Sequence, residues 1–280
     1  MQMEANSPRQ ILEFLLAAGV DVAIGDEPVN RLLPQTTAPI AALPAAPEEG
    51  PGRNRSAAAV TPQRPVPAFP AHTAPEDAIM AARTLAKSAP DLETLEKLLA
   101  GFEGCALKST ASRLVFADGA PGAKLMIIGE APGRDEDETG KPFVGRAGQL
   151  LDKMLHAIGL DRSSVYIANI VPWRPPGNRT PTPQEIAICL PFIHRQIELS
   201  APDVLVTMGA PATQNLLHQK DGILRLRGRW FDYDAGNRKI PALATLHPAY
   251  LLRQPGQKSL AWRDLRALAV RLRDGHSAPV

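Results

Sequence analysis

Apolar positions along this chain follow two rhythms. Four short runs are continuously apolar and rich in β-formers: residues 124–129 (KLMIIG), 165–171 (VYIANIV), 204–208 (VLVTM) and 242–246 (ALATL). Unbroken runs of this length fit strands covered on both faces. Between them, apolar residues recur at helical spacing. Leu150, Leu151, Met154, Leu155 and Ile158 share one face of a segment that stops at Gly159. Thr182-Pro183-Gln184-Glu185 reads as a helix start, with Pro in the first turn and a capping-box pair three residues apart. Pro191 is expected to kink that helix or mark its end. Residues 210–217 and 258–273 predict two more helices, and residues 229–234 a short strand or hairpin. Strands alternating with helices predict an α/β fold: three α/β/α layers around a central, mostly parallel four-stranded sheet.

Upstream the pattern changes twice. Ile11, Leu12, Leu15 and Leu16 share a helical face behind Ser7 and Pro8, so residues 1–33 read as a helical segment. Residues 34–75 hold ten prolines and few large apolar side chains. Such a stretch buries too little surface to offset its ordering entropy, and it reads as an extended or disordered linker. Helical spacing returns over residues 75–101, broken at Ser88-Ala89-Pro90, and the α/β domain is assigned to residues 76–280.

Composition narrows the function classes. The chain has 280 residues and a formal net charge of +2, yet from Lys220 onward Lys and Arg exceed Asp and Glu by seven. That excess suits a solvated basic helix and a face for a polyanion equally well. No run approaches about twenty apolar residues, so no membrane span is expected. The first residues, MQMEANSPRQ, lack the basic and apolar regions of a secretion signal, which predicts a cytoplasmic protein. The two cysteines form neither a disulfide framework nor a full metal-ligand set, and read as reduced thiols. A monomer is expected.

In doubly wound folds, ligands collect beyond the C-terminal ends of the strands. Three unusual segments fall there: residues 129–145, 172–183 (PWRPPGNRTPTP) and 247–253 (HPAYLLR). The first lacks the glycine patterns of phosphate-binding loops, and its acids, 135–138, would repel phosphate. Glu130 and Glu136 are candidates for acid, base or water-holding roles. Asp135, Asp137 and Glu138 are expected to be solvated. Phe143 fits core packing or a stacking platform for a flat ring. Asn169 lies inside an apolar strand, where a buried amide needs partners. It is satisfied locally, or it offers its donor and acceptor to the edge of a base. His247 is a capped surface imidazole or a hydrogen-bond donor to a leaving group.

The motifs GEAPG-x3-D-x2-G-x-PFVG-x-AG, the strand asparagine, RPPGNR and HPAYLLR, in that order, resemble the uracil-DNA glycosylase superfamily. The resemblance spans about residues 98–272 and is to family 4, the thermostable bacterial and archaeal type. It implies a monofunctional base excision repair enzyme that flips uracil out of single- or double-stranded DNA and hydrolyses its N-glycosidic bond. By this resemblance Phe143 stacks on the uracil and Asn169 reads its edge against cytosine. His247 hydrogen-bonds O2 as charge develops on the departing base. Backbone at Gly129, Ala131, Pro132 and Gly133 closes the pocket. Leu251, with Leu252, fills the gap left in the stack, and Arg253, Arg225, Arg227 and Arg229 hold phosphates.

Two departures from the family pattern stand out. The best-known members carry G-Q-D-P-Y in the first loop, where this chain has Ala131 and Gly133. The water then falls to Glu130, Glu136 or Asn178, and thymine exclusion to Glu136, in a less strict pocket that admits other deaminated bases. Family 4 also carries a four-iron, four-sulfur cluster on four cysteines. Cys105 and Cys189 remain here, while the other two positions are Phe102 and Trp173. No cluster and no other metal is expected, because two thiolates cannot hold a four-thiolate cluster. A non-catalytic binder of uracil-containing or abasic DNA is the alternative, disfavoured because clamping DNA needs neither Asn169 nor His247. A nucleoside hydrolase is a third reading, disfavoured by the basic C-terminal region and by Leu-Leu-Arg after His-Pro.

Overall fold

A computed structural model of the protein describes residues 75–236 and 238–274. The expected helix near the N-terminus and all of the expected linker except Pro75 lie outside the described residues. Pro75 opens helix α1 (Pro75–Ser88), which is followed by α2 (Leu92–Gly101). The break expected at residues 88–90 is present, and Asp91 caps α2 by accepting from the Thr94 N–H at 2.7 Å.

The four expected strands form the parallel centre of the sheet. They are β2 (Leu125–Gly129), β3 (Tyr166–Asn169), β4 (Val204–Met208) and β6 (Lys239–Thr245). The sheet has six strands rather than four, in the order β1-β3-β2-β4-β6-β5. The two additions are antiparallel edges, β1 (Asp118–Gly119) on β3 and β5 (Trp230–Asp234) on β6. β5 is the short strand expected at residues 229–234; β1 is only two residues long, too short for any periodicity to reveal.

Alternation along β2 sorts the core into its two faces. Met126 and Ile128 pack with Leu95, Leu99, Phe192 and Ile197, so α1, α2 and α5 (Pro183–Ser200) cover one side. Leu125 and Ile127 pack with Leu151, Leu155, Leu251 and Leu265. The other side is thus covered by α4 (Arg146–His156), α8 (Pro248–Arg253) and α9 (Lys258–Asp274). Burying each such side chain stabilises the fold by about 1.5–3 kcal/mol. The short helices α3 (Arg134–Thr139), α6 (Ala210–Leu216) and α7 (Ile223–Leu226) complete the α-helices among the described residues. No helix among the described residues is long and apolar enough to cross a membrane.

α5 begins as expected. Thr182 Oγ1 accepts from the Glu185 N–H, and Glu185 Oε2 accepts from the Thr182 N–H at 2.7 Å. Pro191 does not end the helix but lies inside it. Buried Ile186, Cys189, Phe192, Ile193 and Ile197 before and after it hold the segment against the sheet despite the missing N–H.

A buried charge pair ties α9 to the sheet. The Arg227 guanidinium grips the Asp264 carboxylate and donates to Leu260 O at 3.0 Å, while Thr245 Oγ1 donates to Asp264 Oδ2 at 2.8 Å. Asp264→Ala would strand a partly buried guanidinium. We expect a loss of about 3–5 kcal/mol of stability, read as a shifted denaturant midpoint.

Candidate active site

Strands β2, β3, β4 and β6 all point their C-terminal ends at one cleft of about 550 Å³. That is a volume suited to a small flat ligand. Glu130 to Gly133 line it after β2, Asn169 at the end of β3, Gly209 after β4, and Leu246 and His247 after β6. Glu136, Phe143, Asn178 and Arg253 also line it. The structure therefore brings together residues from all three segments expected to carry chemistry.

The first segment is not an open loop. It folds into α3 over its acidic run, and the acids divide by function. Glu136 Oε2 accepts from the Gly133 N–H at 3.0 Å; its Oε1 accepts from Val144 and Gly145 at 3.0 and 3.1 Å. Three of about four lone-pair positions are thus taken, so Glu136 staples the loop, and the water-holding role expected of it has little left to act with. Asp137 is buried rather than solvated. Its Oδ1 accepts from Ser112 and Arg113 backbone N–H groups at 2.8 and 3.3 Å. Asp135 and Glu138 are exposed as expected, Glu138 pairing with Arg134.

Phe143 is held in an unusual conformation. Its φ is +55°, a region that non-glycine residues seldom adopt. Arg162 fixes it, donating to the carbonyls of Pro142 and Phe143 and pairing with Asp118 and Asp152. A side chain at Gly148 would collide with the Phe143 carbonyl. Arg162 and Gly148 were not legible as site residues, because their work is done on backbone atoms. The Phe143 ring lies 5.3 Å from the His247 ring at 28° between planes.

His247 caps α8 with its own ring. Nδ1 accepts from the Ala249 N–H at 3.1 Å. The ring proton must then sit on Nε2, which has no partner among the described residues and is a free donor. Burial, with a smaller contribution from the Arg253 charge, pushes the imidazole pKa down to about 4. It is a neutral donor at ordinary pH.

Asn169 Oδ1 is buried without a hydrogen-bond partner, the one such side-chain atom among the described residues. An orphaned buried acceptor at a cleft wall is what a ligand's N–H would satisfy. Gly129, beside it in the β2–β3 register, leaves it room. A Cβ there would collide with Asn169 Oδ1 and stand 2.6 Å from Phe143 Cζ. Gly129→Ala is expected to lower the reaction rate on the cleft's ligand about 10²-fold through misplacement of these two groups, with the melting temperature nearly unchanged.

Glu130 also keeps a free carboxylate on the wall. Burial raises its pKa, and no hydrogen bond or ion pair reaches it among the described residues. Three of the expected DNA-contacting residues are placed differently from the rest. Leu251 is buried on the core-facing side of α8 and presents no surface to a base stack, whereas Leu252 beside it is half-exposed. Arg227 is committed to Asp264 and is not free for phosphate. Arg229 is exposed but lies over the Phe231 ring, 5.3 Å from its centroid. Arg225 and Arg253 are exposed, Arg225 with Asp221 3.7 Å away.

The sequence model of the uracil-DNA glycosylase superfamily matches residues 116–266, which hold all six strands and every cleft residue named above. The chain belongs to the uracil-DNA glycosylase superfamily. It is 45% identical over 150 residues to a type-4 uracil-DNA glycosylase of Thermotoga maritima, covering 53% of this chain and 77% of that protein. A type-4 enzyme of Archaeoglobus fulgidus is 41% identical over 155 residues, covering 54% and 78%. A third, from Sulfurisphaera tokodaii, is 35% identical over 187 residues, covering 64% and 85%.

The sequence resemblance to family 4 implies a four-cysteine iron–sulfur cluster, and this chain has two cysteines in all. Cys105 and Cys189 are buried with their sulfurs 4.0 Å apart. Cys189 Sγ donates toward Cys105 Sγ, and the pair supplies two of the four thiolates such a cluster needs. Phe102 and Trp173 stand at the other two ligand positions, both buried, and the Phe102 ring lies 5.2 Å from Phe192. They fill core volume and bring no donor atoms. No group of three or more metal-ligating side chains occurs among the described residues.

Proposed function

We propose that this chain hydrolyses the N-glycosidic bond of uracil in DNA, releasing the base and leaving an abasic site. The observation that carries the reading is the pairing of a neutral, free His247 Nε2–H with an orphaned Asn169 Oδ1 in one cleft. Uracil presents a matching edge: N3–H satisfies Oδ1, O4 takes the amide N–H, and O2 receives Nε2–H. Breaking the glycosidic bond places negative charge on O2, and a fixed neutral donor there stabilises it without giving up its proton. Phe143 supplies the apolar face against which the flipped ring lies. Of the candidates for holding water, Glu130 and Asn178 retain free polar atoms on the wall, whereas Glu136 is committed to its loop.

Leu252 takes the wedge role in place of Leu251, and Arg225 and Arg253 contact phosphate. The protein acts as a monomer in the cytoplasm, on single- or double-stranded DNA, and its first loop, with Ala131 and Gly133 at its centre, admits other deaminated bases. It works without an iron–sulfur cluster, since only two thiols are available to a group that needs four.

A labelled oligonucleotide with one uracil, treated with alkali after incubation, tests the reading. Cleavage at the uracil is expected. Tight binding without cleavage would instead favour a non-catalytic reader of damaged DNA. Repeating the assay with other deaminated bases, and in both strand forms, measures the breadth of the pocket. Iron content and visible absorbance of anaerobically purified protein test the cluster: about four irons per chain would overturn its proposed absence.

A further inference from the structure

We infer that Arg174 is a positioning residue for Asn178, fixing which edge of the Asn178 amide meets the cleft. The inference rests on the glycosylase reading above. Arg174 Nε donates to Asn178 Oδ1 at 2.7 Å. A guanidinium N–H only donates, so this bond decides the orientation of the amide. The two hydrogens on Nδ2 have no partner among the described residues, and Asn178 lines the cleft. An exposed asparagine would otherwise flip freely between its donor and acceptor faces. Here its backbone is also set, at φ +56°, with its N–H donating to Pro175 O at 3.0 Å.

The guanidinium is anchored at its other end. Arg174 Nη1 stands 3.9 Å from Asp137 Oδ2. Asp137 is 3% exposed, and its remaining oxygen is held by two backbone N–H groups. Trp173, buried next door, fixes the backbone from which Arg174 projects. The first loop therefore reaches Asn178 through a chain of two side chains, Asp137 and then Arg174. Among the described residues neither hydrogen-bonds or ion-pairs with Asn169 or His247, so their effect on the reaction passes through Asn178.

Single-turnover release of uracil from a saturating-protein complex tests this, using Arg174→Ala, Asn178→Ala and the double variant. Each single change is expected to slow release about tenfold by loss of alignment. The double variant should be no slower than Asn178→Ala alone, because residues acting as a unit are not additive. The dissociation constant for the oligonucleotide and its salt dependence should not move. Arg174→Lys keeps a charge for Asp137 but lacks the Nε–H; it should be as slow as Arg174→Ala, and it carries the test if the alanine variant does not fold. Multiplying losses in the double variant, or a wild-type rate in Arg174→Lys, would overturn the inference. So would weakened binding with a salt slope reduced by about one, the mark of a lost phosphate contact. If the wild type itself releases no uracil, the glycosylase reading fails, and this inference with it; a working wild type with multiplying losses defeats this inference alone.

Discussion

His247→Ala is expected to lower the single-turnover rate of uracil release about 10²–10³-fold, the usual effect of removing one preorganised donor to a developing oxyanion. Binding of the oligonucleotide should change far less, because the bond in question strengthens as charge builds on the base. The pH dependence gives a second handle. His247 is neutral down to about pH 4 because burial disfavours its cation. An acid limb due to this residue should therefore lie near pH 4, not near the ordinary imidazole value of about 6.5. Protonation there would set a new N–H on Nδ1 against the Ala249 N–H that it now accepts. The same shift affects stability, and its sign follows. The folded pKa lies below the unfolded one, so the unfolded chain takes up the proton first as pH falls. The stabilising contribution of neutral His247 is complete above about pH 6.5 and is lost as pH falls toward about 4. Glu130 titrates in the opposite sense: its raised pKa would place a limb above the ordinary glutamate range if its carboxylate is required. The two are separated by asking which limb vanishes in Glu130→Gln and which in His247→Ala. A rate profile for the wild type with a limb at about 6.5 that vanishes in His247→Ala would contradict the neutral imidazole.

Much of this site was legible in the sequence, and what was not had physical causes. Continuous apolar runs located the four central strands, since a strand covered on both faces leaves no polar positions to confuse the pattern. The three polar segments after those strands were then bound to meet at one rim, and they do. β1 escaped notice because two residues carry no period. Pro191 left a kink or an end open, and the end is excluded for a tertiary reason: packing on both sides of it outweighs one lost hydrogen bond. The acids at 135–138 look alike in sequence, yet one staples a loop, one is buried under backbone donors and two face solvent. Only folding of that run into α3 sorts them. Leu251 and Leu252 differ in the same way, by which side of a single short helix each occupies. Arg162 was invisible because its partners are the Pro142 and Phe143 carbonyls, which every residue type shares.

Asn169→Ala is expected to be as damaging as loss of His247, and to change choice as well as rate. In the protein as it stands, Asn169 Oδ1 is a buried acceptor with no partner. Uracil brings N3–H to it and closes that deficit. Cytosine brings a bare N3 and an amino group, so acceptor faces acceptor and donor faces donor, leaving buried polar groups unpaired on both sides. A site built on such complementarity rejects the wrong partner by about 10⁴–10⁵-fold. Removing the amide should therefore slow uracil release about 10²–10³-fold, by analogy with other lost transition-state donors, and shrink the uracil-to-cytosine ratio at the same time. The ratio is the sharper measurement. Misfolding or a displaced Phe143 would depress both bases together and leave it unchanged, whereas loss of an edge-reading amide must alter it. Rates on paired oligonucleotides differing only at the target base supply it directly. An unchanged ratio would mean that discrimination lies elsewhere on the wall, and that the orphaned acceptor is met by water rather than by the base.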